Sequence, residues 1–216
     1  MKSQDILLLF KLICLSRLTA KDLLVNTQPR ELSWNEDGRA TKEDLLHIDS
    51  LIDAENYLEY RFTTRGLAQT LGISKSEISN SLARCINVRL AKISRVNQKP
   101  EVNKKTLFDF IKYGLRLVYP VKPAEITRGI PTTFAAPVLK GKLLSGGELI
   151  MVWPDSMGKE MGQAIIPLYK SVPFAVRQDP ELYAYLALLD AIRLGSPREM
   201  KLALEQIEEK IFHDGI

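Results

Sequence analysis

TTRGLAQTLGISKSEISNSLARC, residues 63–85, has the spacing of two short helices joined at a glycine. Leu67, Ala68 and Leu71 recur on one face of a first helix over about 64–71. Ala68 has to be small if a second helix is to cross close above it. Gly72 stands where the chain must leave the helix and where a positive φ costs glycine least. Ile73 plugs the corner. Ser74 and Glu77 form an S-x-x-E capping box at the start of a second helix, 74–85, whose Ile78 and Leu82 point into a core.

The opposite face of that second helix carries Lys75, Ser76, Ser79, Asn80, Ala83 and Arg84. It has no acid and no large apolar residue. Short hydrogen-bonding and cationic side chains of this kind meet base edges and phosphates in a major groove. An exposed helix N-terminus favours a phosphate for the same reason.

Charge is concentrated around the same stretch. Residues 60–105 hold ten basic side chains against two acids, Glu77 and Glu101, within a chain whose net charge is only +4. The remainder of the chain is therefore acidic, and the block is an electrostatic footprint suited to a polyanion. Residues 30–59 are the reverse, with nine acids against Arg30, Arg39 and Lys42. They are expected to lie away from any phosphate backbone, as an acidic insertion at about 26–59, with a short helix capped at Thr41 and apolar at Leu45, Leu46, Ile48, Leu51 and Ile52.

Around these segments the chain reads as mainly α. Residues 3–18 form a helix apolar nearly all round, which implies burial on every side. Asp5, Lys11 and its short length set it apart from a signal peptide or a membrane span. Residues 86–102 alternate loosely around an Asn-Gln-Lys-Pro turn and read as a hairpin. A helix over about Lys104–Val118 follows, and Pro120 and Pro123 then mark a boundary. Short apolar runs at 148–153 and 163–168 suggest strands of a small irregular sheet. Two helices close the chain: one capped by Asp179 with Pro180 at its first position, and one begun by Ser196, Pro197 and Glu199. The expected architecture is a DNA-binding domain at 1–118 and a smaller α+β C-terminal region at 119–216.

LAQTLGISKSEISNSLAR, followed by a hairpin and a helix, resembles the winged helix-turn-helix of bacterial transcription regulators of the MarR type. The likeness rests on Leu67, Ala68, Leu71, Gly72, Ile73, Ser74, Ile78 and Leu82 at the expected offsets. It covers about forty residues, and the acidic segment departs from the pattern. The resemblance implies that Lys75, Ser76, Ser79 and Asn80 face the groove, with Thr64 beside them. It implies that Arg84 and the wing cations Arg89, Lys92, Arg95 and Lys99 contact the backbone or minor groove. Double-stranded DNA is then the partner, with repression the expected sense of regulation.

Other chemistry finds little support. His47 and His213 have no serine or cysteine partner in a nucleophile elbow, and His47 with Glu43 and Asp44 falls short of a metal set. SGGE, 145–148, lacks the spacing of a phosphate-binding loop and reads as a hairpin turn. Cys14 and Cys85 fit helix cores and a reducing cytoplasm. No enzymatic activity, cofactor or membrane attachment is expected. In EITRGIPTTFAAP, 125–137, Thr127, Arg128, Gly129, Thr132 and Thr133 can hold an anionic effector, or form an extended linker whose Arg128 pairs with an acid. The wholly apolar first helix and the C-terminal helices together suggest a homodimer. Two rival readings stand beside the regulator: an antitoxin or defence-system autorepressor whose residues 120–216 grip a partner protein, and an adaptor for an acidic protein.

Overall fold

The computed structural model describes residues 1–19, 51–142 and 149–212. The expected cap at Thr41, Leu45, Leu46, Ile48, the two histidines with Glu43 and Asp44, the SGGE turn and most of the acidic segment lie outside them. Among the described residues the chain is mainly helical with small sheets. Helix α1 spans Ser3–Arg17, α2 Leu51–Phe62, α3 Thr64–Leu71 and α4 Lys75–Asn87. An antiparallel hairpin follows, β1 Ala91–Ile93 with β2 Pro100–Val102, then α5 Lys104–Tyr113 and α6 Leu115–Val118. The remainder comprises β3 Ile126–Thr132, β4 Met151–Pro154, β5 Glu160–Ala164, and helices α7 Val172–Gln178, α8 Pro180–Leu194 and α9 Pro197–Phe212. The single helix expected over 104–118 is thus broken at Gly114 into α5 and α6, and the acidic segment ends in α2, which packs on α1 and α3.

Every residue of α1 from Gln4 to Leu15 is buried, Asp5 and Lys11 included. The helix is apolar all round because it has neighbours all round: α2, α3, α4, β2 and α8. Helix α8 is almost equally enclosed, from Tyr185 to Arg193, and the Phe10 and Tyr185 rings meet at 4.8 Å. Carboxylates at the start of α8 each hold a cation of α1. Lys11 Nζ lies 2.8 Å from Asp179 and Arg17 Nη1 2.5 Å from Glu181. Burial pushes the Lys11 amine down, and Asp179 beside it opposes that shift.

These contacts bear on the observations behind two expectations. The apolar surface assigned to a dimer interface is taken up within one chain, where α1 and α8 cover each other. Nor does the boundary at Pro120–Pro123 divide the core, since one buried cluster joins α1, α3, α4 and α5 to β4, α7, α8 and α9.

Strand β3 pairs antiparallel with β4 over 129–132 and with β5 over 126–129, while β4 and β5 run parallel and close a three-stranded barrel. Among the described residues, the barrel is fastened to α8 by the buried carboxylate of Asp190 and by the Tyr183 hydroxyl, which donates to the Pro131 carbonyl at 2.5 Å. Asp190 accepts from Trp153 Nε1 at 2.5 Å, Arg193 Nη1 at 2.5 Å and Thr132 Oγ1 at 3.2 Å. Arg193 in turn donates to the carbonyls of Tyr119 at 2.8 Å and Ile166 at 3.3 Å.

Close approach at one glycine positions α3. A Cβ on Gly66 would stand 2.4 Å from the Tyr60 carbonyl oxygen and 2.8 Å from Arg61 Cα, both backbone atoms. Gly66→Ala should therefore cost about 1–3 kcal/mol, the usual penalty of overpacking. Thermal melts followed by circular dichroism would measure it against Ser79→Ala on the exposed face of α4, expected within about 0.5 kcal/mol of wild type. Equal melting temperatures for the two variants would contradict the packing of α2 on α3.

Candidate nucleic-acid interface

Local sequence builds the α3–α4 unit as expected. Thr63 Oγ1 accepts from Gly66 N at 3.1 Å to start α3, and Gly72 ends it with φ 63°, in the left-handed region. Ile73 is buried in the corner, and Ser74 Oγ accepts from Glu77 N at 3.3 Å. The capping box is only half formed. The Glu77 carboxylate does not return to the Ser74 amide; Gln4 Nε2 donates to it, and Lys2 Nζ lies 4.0 Å away. Gln4 first and Lys2 second hold the Glu77 carboxyl below its usual value, with Asn80 adding a further hydrogen bond.

Ile78, Ser81 and Cys85 turn into the core, with Leu82 packed beside them. Lys75, Ser76, Ser79, Asn80 and Ala83 are exposed together on the far side. Thr64 and Arg65, at the start of α3, are exposed as well. The one acid of α4, Glu77, is engaged by α1, so the outward face of α4 presents one cation, Lys75, with hydroxyls and an amide.

Arg84 does not belong to that face, contrary to expectation. Its Nη2 lies 2.7 Å from Asp5 Oδ1, and its Nε lies 3.1 Å and 3.3 Å from the two carboxylate oxygens. Ser81 Oγ donates to the same carboxylate at 2.6 Å, and the Lys2 amide at 2.7 Å. The physical reason is that Asp5 is wholly buried, and a buried carboxylate needs a cation and hydrogen bonds. Burial pushes the Asp5 carboxyl up, yet Arg84, Ser81 and the Lys2 amide outweigh it and leave the group below its usual value.

The hairpin carries its cations unevenly. Arg89 and Arg95 are exposed, and Val96 stands 95% exposed at the tip. Lys92 faces its cross-strand partner Glu101, 3.3 Å away and well exposed, an ion pair weak enough to give way to a phosphate. Lys99, expected beside the other wing cations, is placed differently from them. It is half-buried, with Nζ 3.5 Å from Glu59 and 5.3 Å from the centre of the Phe62 ring, and so ties the hairpin to α2.

The expected anion site does not assemble. Thr132 is buried and donates to Asp190, an acid, while Arg128 is exposed and lies about 13 Å along β3 from it at the usual strand rise. Thr127 falls on the opposite face of the same strand. Residues 125–137 are thus neither an anion loop nor a linker; they supply the strand shared by both ladders of the barrel and the turn after it.

Sequence reasoning missed Asp5, Ser81 and Glu59 as the partners that fix Arg84 and Lys99. One signal was present: a carboxylate inside an otherwise apolar helix has to find a cation. Comparisons with family models, with curated proteins and with solved structures returned no match for this chain. No helix among the described residues is long and apolar enough to cross a membrane.

Proposed function

We propose that the chain is a sequence-specific, double-stranded DNA-binding transcription regulator. In this reading α3, the Gly72 turn and α4 form a helix-turn-helix, and β1–β2 forms its wing. Helix α4 enters the major groove with Lys75, Ser76, Ser79 and Asn80. Thr64 and the exposed cations Arg89, Lys92 and Arg95 meet the backbone beside it. The observation that carries the reading is the outward face of α4: polar, cationic and free of large apolar groups, its single acid drawn aside to α1, beside a hairpin with exposed arginines. A face built for an apolar protein partner would carry the large side chains this one lacks.

Selection from a random duplex library on the immobilised protein tests the proposal. Enrichment of one sequence motif is the expected result. Recovery of duplexes with no shared motif, at an affinity indifferent to salt, would overturn it.

A further inference from the structure

Three polar residues of α4 stand in one stripe, Glu77, Ser81 and Arg84, at positions i, i+4 and i+7. All three are held by the first turn of α1. Glu77 meets Gln4 and Lys2, and Ser81 and Arg84 share the carboxylate of Asp5. The core stripe beside them, Ile78, Leu82 and Cys85, contributes apolar contacts that have no strong directional preference. A guanidinium forked onto a carboxylate is directional. The polar stripe therefore adds a directional constraint on the rotation of α4 about its own axis to that of the packed apolar stripe. The far half of α1 is anchored in turn, through Lys11 to Asp179 and Arg17 to Glu181, so Asp5 is presented from a fixed rod.

Resting on the DNA-binding reading, we infer that Asp5 is a positioning residue for sequence recognition: through Arg84 and Ser81 it fixes which side chains of α4 face the base edges. The geometry is demanding. A rotation of about 10° displaces a side-chain tip by about 1 Å at the outer radius of a helix. That is enough to lose a hydrogen bond to a base edge, whose length tolerance is a few tenths of an ångström. Long wing cations follow a phosphate through such a shift. Loss of Asp5 should then erode discrimination and leave the electrostatic part of binding in place. Arg84, committed to Asp5, should add nothing to the count of phosphate contacts.

The experiment uses the full chain, the duplex enriched by the wild type and a scrambled duplex of equal length. Asp5→Asn keeps the side-chain size and an acceptor for Ser81 but removes the charge Arg84 needs. The ratio of dissociation constants, scrambled over enriched, should fall by at least about tenfold, the worth of one base-edge contact. The slope of log K against log salt should stay unchanged. Ser81→Ala should move the ratio in the same direction by less, and it carries the test if Asp5→Asn fails to give a native circular dichroism spectrum. Arg84→Gln should likewise lower the ratio at constant slope. An unchanged ratio in a folded Asp5 or Ser81 variant overturns the inference. So does a slope reduced by about one in Arg84→Gln, because that would make Arg84 a phosphate contact. Failure of the wild type to enrich any motif removes the DNA-binding reading itself, a result distinct from either.

Discussion

Replacing Asp190 by alanine is expected to destabilise the protein by about 3–5 kcal/mol, the cost of breaking a buried ion pair from one side. The truncation leaves Arg193 buried and charged without its counter-ion, and removes the acceptor of Trp153 Nε1 and Thr132 Oγ1. In a chain of this size about 1 kcal/mol corresponds to roughly 2–4 °C of melting temperature, so the transition should drop by about 6–20 °C. Asp190→Asn keeps an acceptor and should lose less. Replacing Asp190 and Arg193 together by Leu and Met should recover some of the loss, since no unpaired charge remains. Recovery stays incomplete because the carbonyls of Tyr119 and Ile166 then lack their donor. A melting temperature for Asp190→Ala within a degree or two of wild type would show that the barrel is held to α8 without the Asp190 latch, by apolar contact and by the Tyr183 hydroxyl, which donates to the Pro131 carbonyl at 2.5 Å.

The position of that polar latch explains why some segments of the chain were legible in advance and others were not. Helix ends are local events. Ser74, Gly72, Asp179 with Pro180, and Ser196 with Glu199 act on amides a few residues away, and each caps or ends its helix where the sequence places it. The partners of buried charges are distant. Asp5 and Arg84 are 79 residues apart, and the polar face of α4 alone gives no reason to turn Arg84 inward. Strand β3 hides for another reason: its burial does not alternate, because β4 and β5 pair with different halves of it and the barrel encloses its far end. The apolar surplus of α1 and α8 was equally ambiguous. Composition fixes how much apolar surface needs covering, but whether another helix of the same chain or a second copy covers it depends on topology.

On the proposed DNA-binding reading, the same distinction between local and distant partners sets the expected response to salt and to substitution. Arg84 and Lys99 are committed within the chain, which leaves Arg65, Lys75, Arg89, Lys92, Arg95 and Lys105 as exposed cations of the basic block. If roughly four of them meet phosphates, log K should fall with log salt at a slope of about −4, and affinity should drop about 10²-fold between 50 and 200 mM. Arg95→Ala should reduce that slope by about one and weaken enriched and scrambled duplexes alike. Asn80→Ala should leave the slope unchanged and cost about 1–3 kcal/mol on the enriched duplex only, relaxing selection at one base pair. Fluorescence anisotropy titrations of both variants on both duplexes, at several salt concentrations, separate the two roles. If Asn80→Ala and Arg95→Ala weaken the two duplexes in equal proportion, α4 is not the reading element. The basic block would then bind DNA only through its backbone, and the ordered polar face of α4 would need another explanation.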